Sequence, residues 1–352
     1  MFRRHDCGSA SNGPLPTGCK HCYKGSKMVL FVTGRCDAGC FYCPVSVERR
    51  GKDVVFANEM RVHSPDDIIR EAESMDAVGT GITGGDPLIA LDRTLDAIRL
   101  LKERFGKGHH IHLYTAKTDL EKVRLLEAAG LDEIRFHIPV ERWSCPPEGL
   151  LRDIVKSTRM SVGIEVPSIP HSEEQLDSLV SAAERARVEF VNLNELEFSE
   201  SNWDMMHSQG FDIKDDISAS VLGSEETALS VMKRHRRMRM HFCSSVFKDG
   251  VQLRNRLTRR AMHVSEEYDV VTRDGTILRG LVYTDDLEGA MSLLADRFGV
   301  PFGLMRADAE RGRLETAPWI LEEIASELPY KCYTVEEYPT ADRLEVERTP
   351  LN

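Results

Sequence analysis

The sequence predicts an α/β protein built on parallel strands, and three patterns predict it. Short β-branched runs alternate with amphipathic stretches through the first two thirds of the chain, which is the signature of repeated β-α units. The amphipathic stretches begin and end on capping residues. The motifs richest in chemistry fall where the apolar runs end.

In chain order, strands are expected at 28–33, 77–83, 110–115, 133–138, 160–166 and 188–196. Helices lie between and after them. The one over 64–76 opens on Ser64-Pro65-Asp66-Asp67, with serine as the cap and proline at the first helical position. A second, over 91–105, closes on Gly106. Helices over 118–129, 147–158, 172–187 and 224–239 continue the series, and Ser172-Glu173-Glu174-Gln175 reads as a capping box. Residues 246–261 read as a further helix. Beyond about Arg260 the pattern changes to a hairpin over 268–283 turning at Asp274-Gly275. Helices over 286–298 and 318–328, with strands over 332–337 and 343–348, complete a small α+β unit. The expected domains are a cysteine-rich extension over 1–27, the α/β body over 28–262 and the α+β domain over 263–352.

The chain has 352 residues, enough for a large domain and a small one. No run of eighteen apolar residues occurs, and Met1-Phe2-Arg3-Arg4-His5-Asp6 lacks the apolar segment of a secretory signal. A cytoplasmic location is therefore expected, without a membrane. In that reducing setting the nine cysteines are thiols or metal ligands. A net charge of −11 argues against a surface that coats nucleic acid generally. Within 231–260, however, ten residues are Lys or Arg against one acid, Asp249, and this asymmetry points to an anionic partner.

The cysteines carry the chemistry. Cys36, Cys40 and Cys43 stand in Cys36-Asp37-Ala38-Gly39-Cys40-Phe41-Tyr42-Cys43, directly after the first expected strand. Three thiolates on one tight loop hold three irons of a 4Fe-4S cluster and leave the fourth iron open; the alternative is a zinc or purely structural loop. At the end of the second strand comes Thr83-Gly84-Gly85-Asp86-Pro87. Paired glycines let backbone approach a ligand, and the adjacent acid can accept a hydrogen bond from an ammonium group.

These two motifs, in this order, resemble the radical S-adenosylmethionine (SAM) superfamily. The likeness is specific over roughly 28–200, and within the superfamily the chain is similar to a little-characterised archaeal group related to pyruvate formate-lyase activating enzymes. The resemblance implies a partial (β/α)6 TIM-like barrel with its active site at the C-terminal ends of the strands. It implies an enzyme whose cluster on Cys36, Cys40 and Cys43 reduces SAM to methionine and a 5′-deoxyadenosyl radical, with ferredoxin or flavodoxin as a class of reductant. Gly84, Gly85 and Asp86 stand for the family's Gly-Gly-Glu motif, with aspartate one methylene short. Tyr42, Thr115, Glu165 and Asn194 are the further residues expected to contact the cofactor.

Cys7, Cys19 and Cys22 precede the body as a metal half-site, Cys19-Lys20-His21-Cys22 with a distant cysteine. Cys243 is the expected fourth ligand and His21 the lesser option. A second 4Fe-4S cluster is favoured over zinc because many radical SAM enzymes carry one. His137 and Glu165 are placed to face the barrel mouth. Asn192 and Asn194 share one face of the sixth strand, Glu195 and Glu197 the other. His109, His110 and His112 read as packed histidines, and Cys145 and Cys332 as unliganded thiols. In the basic segment Gln252, Arg256, Arg259 and Arg260 fall on one helical side, and the three arginines are the expected substrate-binding set. Three substrate readings stay open: an anionic small molecule or macromolecule such as RNA, a partner protein receiving a glycyl radical, and a non-enzymatic RNA-binding protein.

Overall fold

The computed structural model describes residues 2–215 and 218–352. The chain forms two compact units, one of residues 1–73 with 77–253 and one of 74–76 with 254–352. The division falls ahead of the expected 262/263 because helix Arg254–Val264 belongs with the second unit.

In the first unit seven strands lie side by side in chain order: β1 (Lys27–Phe31), β2 (Gly79–Thr83), β3 (His110–Thr115), β4 (Glu133–Phe136), β5 (Ser161–Ser168), β6 (Phe190–Glu195) and β7 (Met240–Cys243). Every neighbouring pair is parallel. Helices α1 (Thr17–Tyr23), α2 (Pro65–Ser74), α3 (Leu91–Phe105), α4 (Leu120–Ala129), α5 (Glu148–Ser157), α6 (Glu173–Ala186), α7 (Trp203–Ser208) and α8 (Ser224–Arg234) precede and connect them. An open run of parallel strands, each one step from the last, is consistent with a partial barrel. It has one strand more than the six expected. β7 is four residues long and follows directly on a basic run, so its period was hidden beneath a helix expected to reach 239 but ending at Arg234.

Short antiparallel strands cover both edges. Phe56–Ala57 pairs with β1. On the other side Ala10–Ser11 of the N-terminal extension pairs with β7, setting Ala10 opposite Phe242 and Ser11 opposite His241. That pairing brings the turn at Cys7 beside Ser244, whose hydroxyl donates to the Cys7 carbonyl at 2.5 Å.

Caps set the helix ends. Asp119 accepts from Lys122 N at 3.2 Å to start α4, and Gly130 ends it at φ 109°. Asp67 accepts from the amides of His63 and Ser64 at the start of α2. At α6 the expected capping box is absent, since the Ser172 hydroxyl donates to the Ile169 carbonyl. The strand interiors are apolar, with Ile82, Leu113, Phe136, Ile164, Leu193 and Phe242 fully buried, as parallel strands covered on both faces require.

The second unit is an antiparallel sheet of β8 (Ile277–Tyr283), β9 (Met305–Asp308), β10 (Arg313–Thr316), β11 (Lys331–Glu337) and β12 (Glu345–Pro350), in the order β9-β10-β8-β11-β12. Val270–Val271 pairs with β8 as the expected hairpin. β9 and β10 were not anticipated; both alternate charged with apolar residues, and β10 is buried throughout although it reads Arg313-Leu314-Glu315-Thr316. Cys332 belongs to the apolar core with Val282, Leu294, Leu314 and Leu321. In place of one helix over 246–261 there is a short helical turn at Ser245–Phe247, a wider π-turn at Lys248–Leu253 and helix Arg254–Val264.

Candidate functional site

The loop after β1 brings Cys36, Cys40 and Cys43 to the wall of one cavity of about 480 Å³, at the C-terminal ends of the strands. Backbone contacts hold the loop. Asn202 Nδ2 donates to the Tyr42 carbonyl at 3.1 Å and Ser201 Oγ to the Cys43 carbonyl at 3.2 Å. Burial pushes the Cys36 and Cys40 thiols up, so a bound cation is needed to keep them as thiolates. Three thiols and no fourth cysteine on one cavity wall fit a cluster with one open iron.

Of the residues expected to hold the cofactor, Tyr42, Gly84, Gly85, Thr115, Glu165 and Asn194 line this cavity. The glycine pair also has a packing reason. A Cβ on Gly84 would come within 2.5 Å of the Thr33 carbonyl oxygen, and one on Gly85 within 2.3 Å of the Arg35 carbonyl oxygen. The turn and the start of the cysteine loop therefore touch backbone to backbone. Asp86 corrects the expectation. It is 1 % exposed, and its carboxylate accepts from Leu88 N, from Ala116 N (both 2.9 Å) and from the Thr115 hydroxyl at 2.8 Å. With these donors satisfied it caps the turn and anchors Thr115.

Glu165 accepts from Arg135 Nη1 at 2.6 Å and from the amides of Asn192 and Asn194 at 3.0 Å each. Burial pushes this carboxyl up, but the Arg135 charge and the amide donors bring it below its ordinary value. Asn192 and Asn194 thus share a face, as strand parity requires. His137 offers Nε2 to the Tyr42 hydroxyl at 3.1 Å and lies 3.6 Å from the Cys40 sulfur. Burial lowers its pKa, keeping the ring neutral.

A second cavity of about 190 Å³ is lined by Cys19, Cys22 and Cys243 together with Lys27, Arg135 and His241. Tyr114, Glu165, Asn194 and Lys248 line both cavities, forming the partition between them. Burial pushes the Cys19 thiol up to about 12 and raises Cys243 further. Cys7 is exposed and does not line this cavity, although its backbone is held by Ser244, the neighbour of Cys243. His21 shares its Nδ1 with Ser26 Oγ at 3.1 Å. Cys145 is exposed, and His109 is buried with Nε2 2.8 Å from Thr80 Oγ1.

The basic segment does not present the expected substrate set. Arg259 donates to the Met75 and Asp76 carbonyls, just past the end of α2, and pairs with the Asp76 carboxylate. Arg260 is buried and donates to the Pro339 carbonyl. Arg256 is half-buried and also engaged. Guanidiniums close carbonyl-rich chain ends well, and here they tie their own unit together. The basic residue that reaches the site is Lys248, 2.6 Å from Glu197. Sequence reading passed over Lys27, Glu133, Arg135 and Lys248; buried charges at alternate positions of an otherwise apolar strand, as in Glu133-Ile134-Arg135, were the available signal.

Comparisons with known proteins bear on the family of the chain. The family description "Radical SAM superfamily" matches residues 30–158, and a domain of unknown function (DUF8061) matches 275–351. A protein of Methanocaldococcus jannaschii, provisionally named a glycyl-radical enzyme activating enzyme, is 39% identical over 96% of this chain and 93% of its own length. Among solved structures, Streptococcus suis SuiB bound to S-adenosylmethionine gives a TM-score of 0.42 at 12% identity, over 62% of this chain and 50% of that one. SuiB bound to its precursor peptide SuiA gives 0.44 at 14% identity, over 62% and 48%. The chain thus spans about half the length of SuiB. Because the radical SAM match falls on the strands that carry the cysteine loop and the glycine turn, and the archaeal relative is alike from end to end, this chain belongs to the radical SAM superfamily.

Proposed function

We propose that this radical SAM enzyme acts on a partner protein, abstracting hydrogen from a glycyl Cα. When bound, a reduced 4Fe-4S cluster would supply one electron to the SAM sulfonium, breaking its C–S bond to release methionine and a 5′-deoxyadenosyl radical, which would leave as 5′-deoxyadenosine once it had taken a hydrogen atom from the substrate. Cys36, Cys40 and Cys43 hold the cluster, with a small redox protein of the ferredoxin or flavodoxin class as electron source. The backbone of Gly84 and Gly85 receives the methionine end of SAM, with Tyr42, Thr115, Glu165 and Asn194 forming the walls. Asp86 positions that turn through Thr115. Lys248 and Glu197, an ion pair lining the same cavity, contact the substrate.

The observation that carries the glycyl reading is the archaeal relative. Its match takes in nearly all of this chain, including the cysteine-rich extension and the C-terminal domain that set this chain apart from a bare barrel. Those additions therefore do not argue against an activase. The anionic or RNA reading loses its footing, since Arg259 and Arg260 are occupied within their unit.

Cys19, Cys22 and Cys243 are proposed to hold a second metal centre, with Cys7, whose carbonyl is held by Ser244 beside Cys243, as the fourth ligand. A four-thiolate centre is closed, so its role is electron relay or structural clamping across the partition at Tyr114, Glu165, Asn194 and Lys248.

The test uses host proteins labelled with α-deuterated glycine, incubated anaerobically with the enzyme, SAM and reductant. Deuterium in the 5′-deoxyadenosine is the expected result. Cleavage of SAM with no label transferred would overturn the glycyl reading while leaving the SAM chemistry intact.

A further inference from the structure

His110 and His112 stand two residues apart on β3, so both side chains leave the sheet on one face. Glu133 opens β4 and is the register partner of His112. One ligand atom from each of the three lies within 4.8 Å of the other two. His112 is fully buried and Glu133 is 1 % exposed, while the His110 side chain is 13% exposed.

Buried ring nitrogens ordinarily find a partner. Among the described residues His112 Nδ1 has none, and His110 Nε2 has only a long contact to Glu133 Oε2, at 3.5 Å. The atoms behind them are engaged. Tyr114 Oη lies 3.2 Å from His112 Nε2, and Arg135 Nε donates to Glu133 Oε1 at 2.6 Å. Outer contacts of this kind fix the orientation of metal ligands. Gly18 of α1 packs closely here: a Cβ there would lie 2.5 Å from Arg135 Nη2 and 2.8 Å from His112 Nδ1, and its N–H donates to Glu133 Oε2 at 3.4 Å.

We propose that His110, His112 and Glu133 form a binding site for a divalent transition-metal cation of the zinc class. Two imidazoles and a carboxylate are the donor set such ions take, with a fourth position left over. His21 of α1 is the nearest further donor, its ring centroid 5.7 Å from that of His110 and its Nδ1 turned to Ser26. Arg135 brings positive charge to this region, but it is shared with Glu165 at 2.6 Å. With His21 as the fourth ligand, the bound ion would tie α1, which carries Cys19 and Cys22, to β3 and β4. This role is independent of SAM cleavage and of the substrate.

The test is a histidine footprint. Full-length protein, purified anaerobically, is treated with diethyl pyrocarbonate with and without one to two equivalents of Zn2+, and modification at His110 is mapped by peptide mass. Zn2+ should protect His110 at least about tenfold. Co2+ titration of the wild type should show a component without a thiolate charge-transfer band, weakened about tenfold or more in Glu133→Gln and His110→Ala. Equal modification of His110 at saturating Zn2+, or cobalt bound only through thiolates, would overturn the site. Should the variants fail to fold, the wild-type footprint decides alone.

Discussion

Arg135 and Glu165 meet at 2.6 Å across β4 and β5, the guanidinium 1% exposed and the carboxylate reaching the partition between the two cavities. Arg135 also pairs with Glu133, so one cation answers two buried carboxylates. Removing it leaves Glu165 with only the amides of Asn192 and Asn194 and Glu133 with only long contacts to Gly18 N and His110, which costs far more than the pair contributes. Arg135→Met should destabilise the protein by about 3–5 kcal/mol, read as a lower urea midpoint on metal-free protein. An unchanged midpoint would show the network to be dispensable.

Cys36, Cys40 and Cys43 replaced together by alanine should abolish formation of methionine and 5′-deoxyadenosine under anaerobic reduction. Metal at the proposed second centre of Cys19, Cys22 and Cys243 should remain, because those thiols line a different cavity. Iron and zinc analysis of the triple variant, beside a Cys19→Ala, Cys243→Ala variant, separates the two centres. Continued SAM cleavage in the triple variant would remove the cluster from this loop.

At Asp86 the structure changes the expected phenotype. Its carboxylate holds the amides of Leu88 and Ala116 and the Thr115 hydroxyl, so Asp86→Ala strands buried donors. A loss of about 1–3 kcal/mol in stability is expected, with SAM affinity falling because the Gly84-Gly85 turn loosens. Asp86→Asn keeps part of the acceptor capacity and should lose less of both. Were Asp86 a direct ammonium ligand instead, the alanine variant would keep its stability and lose only SAM affinity, which calorimetry on both variants distinguishes.

Most of the α/β body was legible because its strands end on the motifs and some of its helices carry readable ends, as at Pro65 and Gly106. What was not legible depended on pairing. β7 is four residues with no turn signal, and it exists because Ala10–Ser11 and β6 flank it. Cys19, Cys22 and Cys243 could be grouped by elimination, yet only that edge pairing explains how residues so distant in sequence meet. The arginines misled because charge counting sees a patch, whereas Arg259 and Arg260 are consumed by carbonyls that no sequence pattern places beside them.

Acid should act on α2 through Asp67. The amides of His63 and Ser64 hold its carboxyl below the ordinary value. A depressed folded-state pKa contributes stability that is complete above the unfolded value near 3.8 and is lost as pH falls through the lower folded value. Asp67→Asn should therefore destabilise at neutral pH and flatten the acid limb of the stability curve. Parallel wild-type and variant curves below pH 4 would count against this cap.

The backbone contact at Gly85 gives the sharpest test of how the glycine turn serves the cluster. A methyl group there would lie 2.3 Å from the Arg35 carbonyl oxygen, the same oxygen that accepts from Asp86 N at 2.8 Å. Backbone cannot swing aside as a side-chain tip would, so the start of the cysteine loop must shift, and Cys36 is the next residue. Gly85→Ala should lower the rate of SAM cleavage at least about tenfold, since displacements of an ångström cost that much or more at a positioned site. Gly149→Ala is the control, because it lies in α5 with open space around it and alanine favours a helix. If Gly85→Ala cleaves SAM as fast as the control, the turn and the loop are not coupled and the glycine pair serves the ligand alone.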